Sequence, residues 1–163
     1  RYPTFENQLN MFKRLFNKKF DWQKVKASGE AFPKPKISVV STTLENGTVA
    51  TAWINVGYRN YPYKEFCQTL GILNVDFEDM GGLDYSEIQT YLDTELNKAC
   101  VSHLISRIPT ETGIEMLFYF ENQDIIQNKL EELYKSDDLL FDFGCRLKTD
   151  SEWETIDNMM KNY

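Results

Sequence analysis

The side chains best suited to nucleophilic or metal chemistry are one histidine and three cysteines, namely His103, Cys67, Cys100 and Cys145. A nucleophilic cysteine needs a general base within hydrogen-bond reach. Cys100 stands three positions before His103 in a predicted strand, so the two side chains point to opposite faces. We therefore predict that His103 is a strand residue without a catalytic role. The alternative is a base that meets Cys67 or Cys145 in space.

The spacing of these residues argues against metal and redox chemistry. The cysteines form no CxxC pair, and a single histidine leaves too few soft ligands for zinc, so we expect no metal site and no cofactor. The nucleotide-binding, zinc-protease and hydrolase signatures GxGxxG, GxxxxGKS/T, HExxH and GxSxG do not occur either. We therefore predict no catalytic residues and a protein that is not an enzyme.

The densest group of carboxylates is formed by Asp76, Glu78 and Asp79, with Asp84 following. Paired carboxylates can serve a glycosidase or a calcium loop, but the spacing of an EF-hand loop is missing. Two interpretations remain for this acidic cluster. It is either solvated charge at the end of a strand or the edge of a protein-binding surface.

A second group consists of Trp53, Tyr58, Tyr61 and Tyr63 with Arg59. Tyr, Trp and Arg are the residue types that dominate interface hot spots, and half-buried packing is the alternative. Taking the two groups together, we predict one partner-binding surface in which acidic side chains surround aromatic anchors. Its candidate residues are Trp53, Tyr58, Arg59, Tyr61, Tyr63, Asp76, Glu78 and Asp79.

The overall charge restricts the class of partner. The chain has 18 Lys+Arg against 25 Asp+Glu, a formal net charge of −7. An acidic surface repels phosphate backbones, so we expect no nucleic-acid binding, and it attracts basic proteins such as a nuclease or toxin. No apolar run approaches the roughly 18 residues of a membrane span, so we expect no membrane insertion.

The cysteines and the first residue bear on cellular location. An odd number of scattered cysteines is typical of reduced thiols in a cytosolic protein, and acidity is common among bacterial proteins. We therefore expect a bacterial, cytoplasmic protein. The chain opens at Arg1 rather than Met, which indicates processing or truncation, and a removed signal peptide is the alternative.

The first third of the chain predicts a helix and a hairpin. Apolar residues at helical spacing (Phe5, Leu9, Phe12 and Phe16) predict a helix over residues 5–18, with Thr4 as its N-cap. The segment 21–32 has no clear pattern, and Pro33 and Pro35 close a linker. Two β-branched runs flank Asn46-Gly47, which predicts a hairpin over residues 37–56 whose two turn residues both have positive φ.

The remainder predicts the element order β-α-β-β-α-β, followed by a helix. An Asp84–Glu87 capping box and an Asn122 N-cap mark the starts of the two inner helices. A Thr149–Glu152 capping box predicts the start of the last helix. Strands are predicted near residues 68–77, 101–108, 114–121 and 139–147, in one antiparallel sheet, with helices near 84–98 and 123–135 on the same face.

We therefore predict a single α+β domain over residues 1–163. Its centre is a ferredoxin-like βαββαβ core, to which an N-terminal helix, a β-hairpin and a C-terminal helix are added. Residues 5–35 form the N-terminal helix and linker, and residues 36–160 form the sheet-and-helix core. This order of elements positions the acidic cluster at the end of a strand.

Three short motifs in the second half resemble a known family. They are Gly82-Leu83-Asp84 before a helix, Phe118-Tyr119-Phe120-Glu121-Asn122 at a strand end, and Asp150-Ser151-Glu152-Trp153. Over residues 36–160 the chain resembles an uncharacterised bacterial domain family grouped with ribonuclease E inhibitor protein B. The resemblance implies a ferredoxin-like fold, no catalytic residues and a binding role. The phenylalanine stripe of residues 5–18 lies outside that family pattern and points to an addition for a specific partner.

The sequence thus predicts a non-enzymatic, acidic protein-binding regulator, such as an inhibitor or immunity-type partner of a nuclease or toxin. The alternative is a small-molecule-binding or enzymatic α+β domain with an unrecognised pocket. A convergent set of polar groups around His103 would favour that alternative.

Overall fold

The computed structural model describes residues 20–161. The chain divides into two compact units, one ending at Ala31 and one beginning at Phe32, and each is described by itself. The predicted helix over residues 5–18 and its N-cap Thr4 lie outside the described residues. The single-domain organisation over residues 1–163 stays a prediction.

The first unit contains a short helix, α1 (Trp22–Ser28), in the segment that the sequence left unassigned. Asp21 caps its N-terminus by accepting a hydrogen bond from the backbone N–H of Lys24. Gly29, with φ of 78°, ends it. Seven residues are too few to establish a helical hydrophobic period, so the two caps were the available signal.

The second unit is built on a mixed α+β plan around one sheet. Within the described residues the sheet has six strands, in the order β1-β2-β4-β5-β3-β6, and all neighbouring strands are antiparallel. The strands are β1 (Ile37–Thr43), β2 (Val49–Asn55), β3 (Thr69–Asp76), β4 (Ser102–Pro109), β5 (Gly113–Phe120) and β6 (Gly144–Thr149).

The predicted hairpin is confirmed, and its turn differs from the expected one. Gly47 has a φ of 82°, whereas Asn46 does not have positive φ. The backbone N–H of Gly47 donates to the carbonyl of Leu44, and the N–H of Leu44 donates to the carbonyl of Thr48. The Asn46 side chain accepts from the N–H of Thr48. The loop therefore spans five residues, and the Asn46 amide stabilises it through its side chain.

Two helices, α2 (Tyr85–Ala99) and α3 (Gln123–Tyr134), pack together on one face of the sheet, as predicted. The predicted capping box of Asp84 and Glu87 and the N-cap Asn122 are both present. Alternate residues of β3 and β5 face these helices. The central core consists of Leu73, Val75, Ile88, Leu92, Leu96, Ile114, Met116, Phe118, Phe120, Ile126, Leu130, Leu133, Phe141 and Phe143. Within residues 20–161 no helix is long and apolar enough to cross a membrane.

The end of the chain departs from the prediction. The last strand, β6, begins at Gly144, and Leu139–Phe143 is a loop that inserts Phe141 and Phe143 into the core. Thr149 is the last residue of β6, so the predicted Thr149–Glu152 capping box is wrong. Helix α4 (Glu154–Met160) is instead capped by Asp150, whose carboxylate accepts from the first backbone N–H groups of the helix.

Candidate functional site

His103 lies on β4 on the sheet face opposite α2 and α3, and it is fully buried. Its register partner on β5 is Tyr119. The hydroxyl of Tyr58 is hydrogen-bonded to Nδ1 at 3.0 Å, and the hydroxyl of Tyr61 is hydrogen-bonded to Nε2 at 3.0 Å. The indole ring of Trp153 lies over the same group. We call His103, Tyr58, Tyr61, Tyr119 and Trp153 the histidine cluster.

Burial controls the protonation states in the histidine cluster. It lowers the pKa of His103 to about 3 and raises the pKa of Tyr58 and of Tyr61 above the ordinary value. At neutral pH the imidazole is therefore uncharged and both phenols are protonated. A neutral imidazole has one N–H and one bare nitrogen, so one tyrosine donates to it and the other accepts from it.

The two tyrosines also determine whether His103 can activate a thiol. Both of its ring nitrogens are hydrogen-bonded to tyrosine hydroxyls, which leaves neither nitrogen for Cys67 or Cys145. Cys145 packs against the core on the helix-covered face, where burial raises its pKa to about 12. Burial likewise raises the pKa of Cys100. The described residues contain no group of three His, Cys, Asp or Glu side chains suited to a metal ion.

Trp153 connects the histidine cluster to the last helix. Its ring stacks on Tyr119 with the centroids 3.9 Å apart, and its Nε1 donates to the carbonyl of Cys67 at 2.7 Å. The Asp150 carboxylate accepts from the Tyr119 hydroxyl at 2.7 Å and from the N–H groups of Glu154 and Thr155. Burial alone would raise the pKa of Asp150, but these hydrogen bonds hold it below the ordinary value. The histidine cluster thus forms a second, hydrogen-bonded core on the sheet face opposite α2 and α3.

The structure separates the residues predicted to form one binding surface. Tyr58, Tyr61 and Tyr63 are buried, and the histidine cluster lies beside Leu70, near the start of β3. Asp76 is the last residue of that strand, about 20 Å away at roughly 3.4 Å per residue. These tyrosines therefore pack in the interior and are not aromatic anchors beside the acidic cluster, which corrects that expectation.

Trp53 and Arg59 belong neither to the histidine cluster nor to the acidic cluster. Trp53 lies on β2 and its Nε1 donates to Oε1 of Gln89 on α2 at 3.1 Å. Arg59 is exposed, and its Nη2 donates to the carbonyl of Met160 at the end of α4. A partner-binding role stays a prediction for half-buried Trp53 and for the exposed residues Arg59, Asp76, Glu78 and Asp79.

Asp76, Glu78 and Asp79 are exposed, and the structure brings a second acidic segment beside them. The backbone N–H of Asp142 donates to the carbonyl of Asp79 at 2.9 Å. We define residues 76–82 and 136–143 as the acidic loop pair. The two segments contain the carboxylates Asp76, Glu78, Asp79, Asp137, Asp138 and Asp142, and neither contains Lys or Arg.

The acidic loop pair also exposes two large apolar side chains. Phe77 is 47% exposed and Leu140 is 67% exposed. The two segments are in close contact, since a Cβ on Gly81 would lie 1.6 Å from the carbonyl oxygen of Leu140. Sequence reasoning missed the second segment because residues 139–143, Leu-Leu-Phe-Asp-Phe, are mostly apolar and fit a strand. The three aspartates among residues 137–142, Asp137, Asp138 and Asp142, were the available signal.

Comparison with protein-family models, with curated proteins and with solved structures gives no match for this chain. The resemblance to the family grouped with ribonuclease E inhibitor protein B therefore stays a prediction.

Proposed function

We propose that this chain is a non-enzymatic protein-binding module whose contact surface is the acidic loop pair and whose partner is a basic protein. One observation carries the proposal. Two loops joined by a backbone hydrogen bond together contain six exposed carboxylates and two exposed apolar side chains, Phe77 and Leu140. Apolar anchors within a polar rim are the usual composition of a protein interface.

The electrostatics of the acidic loop pair favour a basic partner. The whole chain carries a formal net charge of −7, and the two segments of the loop pair contain six carboxylates and no Lys or Arg. Such a field speeds the encounter with a positively charged protein and is weakened by salt. The apolar side chains Phe77 and Leu140 then supply area that leaves water on contact, which slows dissociation.

The loop pair is also held in a defined shape before any partner binds. The hydrogen bond from Asp142 to Asp79 and the close approach of Gly81 to Leu140 restrict both segments. A surface that is already ordered loses less conformational entropy on binding than a mobile loop does. This order supports a binding role over that of solvated charge alone.

We propose further that β3, α2, β4, β5, α3 and β6 form a ferredoxin-like core. Their sheet order β4-β5-β3-β6 and the packing of both helices on one face support this proposal. Together with the resemblance to the family grouped with ribonuclease E inhibitor protein B, it makes a nuclease or a toxin in the bacterial cytoplasm the partner class to test first.

The test is a comparison of proteins captured from the native host by the wild-type chain and by Glu78→Lys/Asp79→Lys. The proposal predicts a basic protein that the wild type retains at low salt and that the variant loses. The matched control is Glu65→Lys/Glu152→Lys, which changes the net charge equally, from −7 to −3, at exposed sites outside the loop pair. Equal loss from both variants would show a nonspecific charge effect and contradict the proposal.

A further inference from the structure

The two outer edges of the sheet are protected very differently. Edge strand β6 carries the exposed cations Arg146 and Lys148, which discourage another strand from pairing with it. The other edge strand, β1, has the sequence Ile-Ser-Val-Val-Ser-Thr-Thr and contains no charge, proline or glycine. Its pairing with β2 is continuous over seven residues without a bulge. Edge strands of this length and composition are a template for pairing with a further strand.

Hydrogen bonds at the two ends of β1 show which backbone groups point outward. The Leu44 N–H donates to Thr48, and the Lys36 carbonyl accepts from Val56, so even-numbered residues direct their backbone groups toward β2. Because these groups alternate along an antiparallel strand, residues 37, 39, 41 and 43 direct theirs away from β2. Within residues 20–161 no strand pairs with this outer edge.

Side chains at the same positions complete the edge. Ile37 is 51% exposed and Val39 is 68% exposed, and Ser41 and Thr43 continue the exposed row. β-branched residues favour the extended backbone that such pairing needs. The outer edge of β1 thus offers unpaired backbone groups and exposed apolar side chains together.

The charges at the two ends of β1 indicate what pairs with it. Exposed Lys34 and Lys36 precede the strand, and Glu45 follows it, with the Glu111 carboxylate bound to the N–H of Asn46. In an antiparallel pair of two β1 strands, the basic end of each copy meets the acidic end of the other. The same edge is therefore complementary to itself, as a twofold-symmetric contact requires.

We propose that two copies of this chain associate through antiparallel pairing of their β1 strands, which joins the two sheets into one. The pairing that uses the whole strand places Val40 opposite Val40 of the second copy and Val39 opposite Ser41. Backbone groups of residues 37, 39, 41 and 43 then form hydrogen bonds between the copies. This inference is independent of the binding role proposed for the acidic loop pair.

The first test is the molar mass by sedimentation equilibrium at moderate salt, where the repulsion between two acidic chains is screened. We expect the wild type to approach twice its 19.2 kDa mass as concentration rises, and Val39→Lys to remain a monomer. The control is Val49→Lys, since Val49 lies on β2 and is 70% exposed on the same face. It should still dimerise. Loss of dimer in both variants, or a monomeric wild type at every concentration, would overturn the proposal.

A second test needs no substitution and covers the case in which Val39→Lys fails to fold. Amide hydrogen exchange by NMR is compared at low and high protein concentration. The amides of residues 39, 41 and 43 should become protected as the dimer forms, whereas those of 38, 40 and 42 should be protected throughout. A dimer that leaves the odd-numbered amides unprotected would place the contact elsewhere and refute the pairing.

Discussion

His103 should make the stability of this protein depend on pH in a way that one substitution removes. The imidazole is fully buried between two tyrosine hydroxyls, and burial lowers its pKa to about 3, whereas an unfolded chain has a histidine pKa of about 6.5. Below pH 6.5 the unfolded state therefore binds a proton that the folded state does not bind. This contribution to stability is complete above pH 6.5 and decreases as the pH falls toward 3.

The magnitude follows from that difference in pKa. Between pH 7 and pH 4.5 the linkage amounts to roughly 2–3 kcal/mol of lost unfolding free energy, and it reaches about 4 kcal/mol at pH 3. His103→Gln replaces the ring by a side chain that can hydrogen-bond to both tyrosines but does not titrate. The variant should be less stable at pH 7 because the packing is imperfect, yet its stability should fall less steeply with acid.

The assay is urea unfolding of both proteins at intervals between pH 7 and pH 4.5. Carboxylates titrate in both, so the difference between the two curves isolates His103. We expect that difference to shrink by roughly 2–3 kcal/mol over the range. Parallel curves would refute the reasoning. Because the chain has a single histidine, one NMR titration of its ring proton gives the pKa directly, and a value near 6.5 would refute it as well.

Two further substitutions test the loop contact and the cap of the last helix. Gly81 and Gly82 both have positive φ, so alanine at either position should lower the free energy of unfolding by about 1–2 kcal/mol. The Cβ of Gly81→Ala also clashes with the Leu140 carbonyl, which should lower it by roughly 1–3 kcal/mol more. Equal melting temperatures would contradict this contact. Asp150→Ala removes three hydrogen bonds and should lower the free energy of unfolding, measured in urea, by about 2–3 kcal/mol. Glu152 is exposed, so Glu152→Ala should change the free energy of unfolding by less than about 0.5 kcal/mol. Similar losses in both would disprove the cap.

Local signals predicted most of the fold because each acts within a few residues. The Asn46-Gly47 pair between β-branched runs identified the hairpin, and the capping pair of Asp84 and Glu87 identified the start of α2. The same reasoning failed at Leu139–Phe143, where a short and mostly apolar run fits a strand as well as it fits a loop. Phe141 and Phe143 pack from a loop into the core that includes residues of α2 and α3. These residues are distant in sequence, so no local pattern indicates the contact.

The candidate site was harder to predict for the same physical reason. Tyr58, Tyr61 and Tyr63 are residue types common in interfaces, but here they are buried against the sheet face opposite α2 and α3. His103 can be buried beside them because the hydroxyls of Tyr58 and Tyr61 are hydrogen-bonded to its two ring nitrogens. Acidic residues could be assigned to a surface from charge alone. The contact between Asp79 and Asp142 depends on a backbone hydrogen bond between loops that are distant in sequence.

The most direct measurement of the proposed binding role is the association rate of the captured basic protein with this chain, by surface plasmon resonance at two salt concentrations. We expect Glu78→Lys/Asp79→Lys to slow association and to reduce its dependence on salt, since charges at the rim of an interface steer the encounter. The Glu65→Lys/Glu152→Lys control should behave more like the wild type. Association that is unchanged in the first variant at both salt concentrations would contradict a binding role for the acidic loop pair.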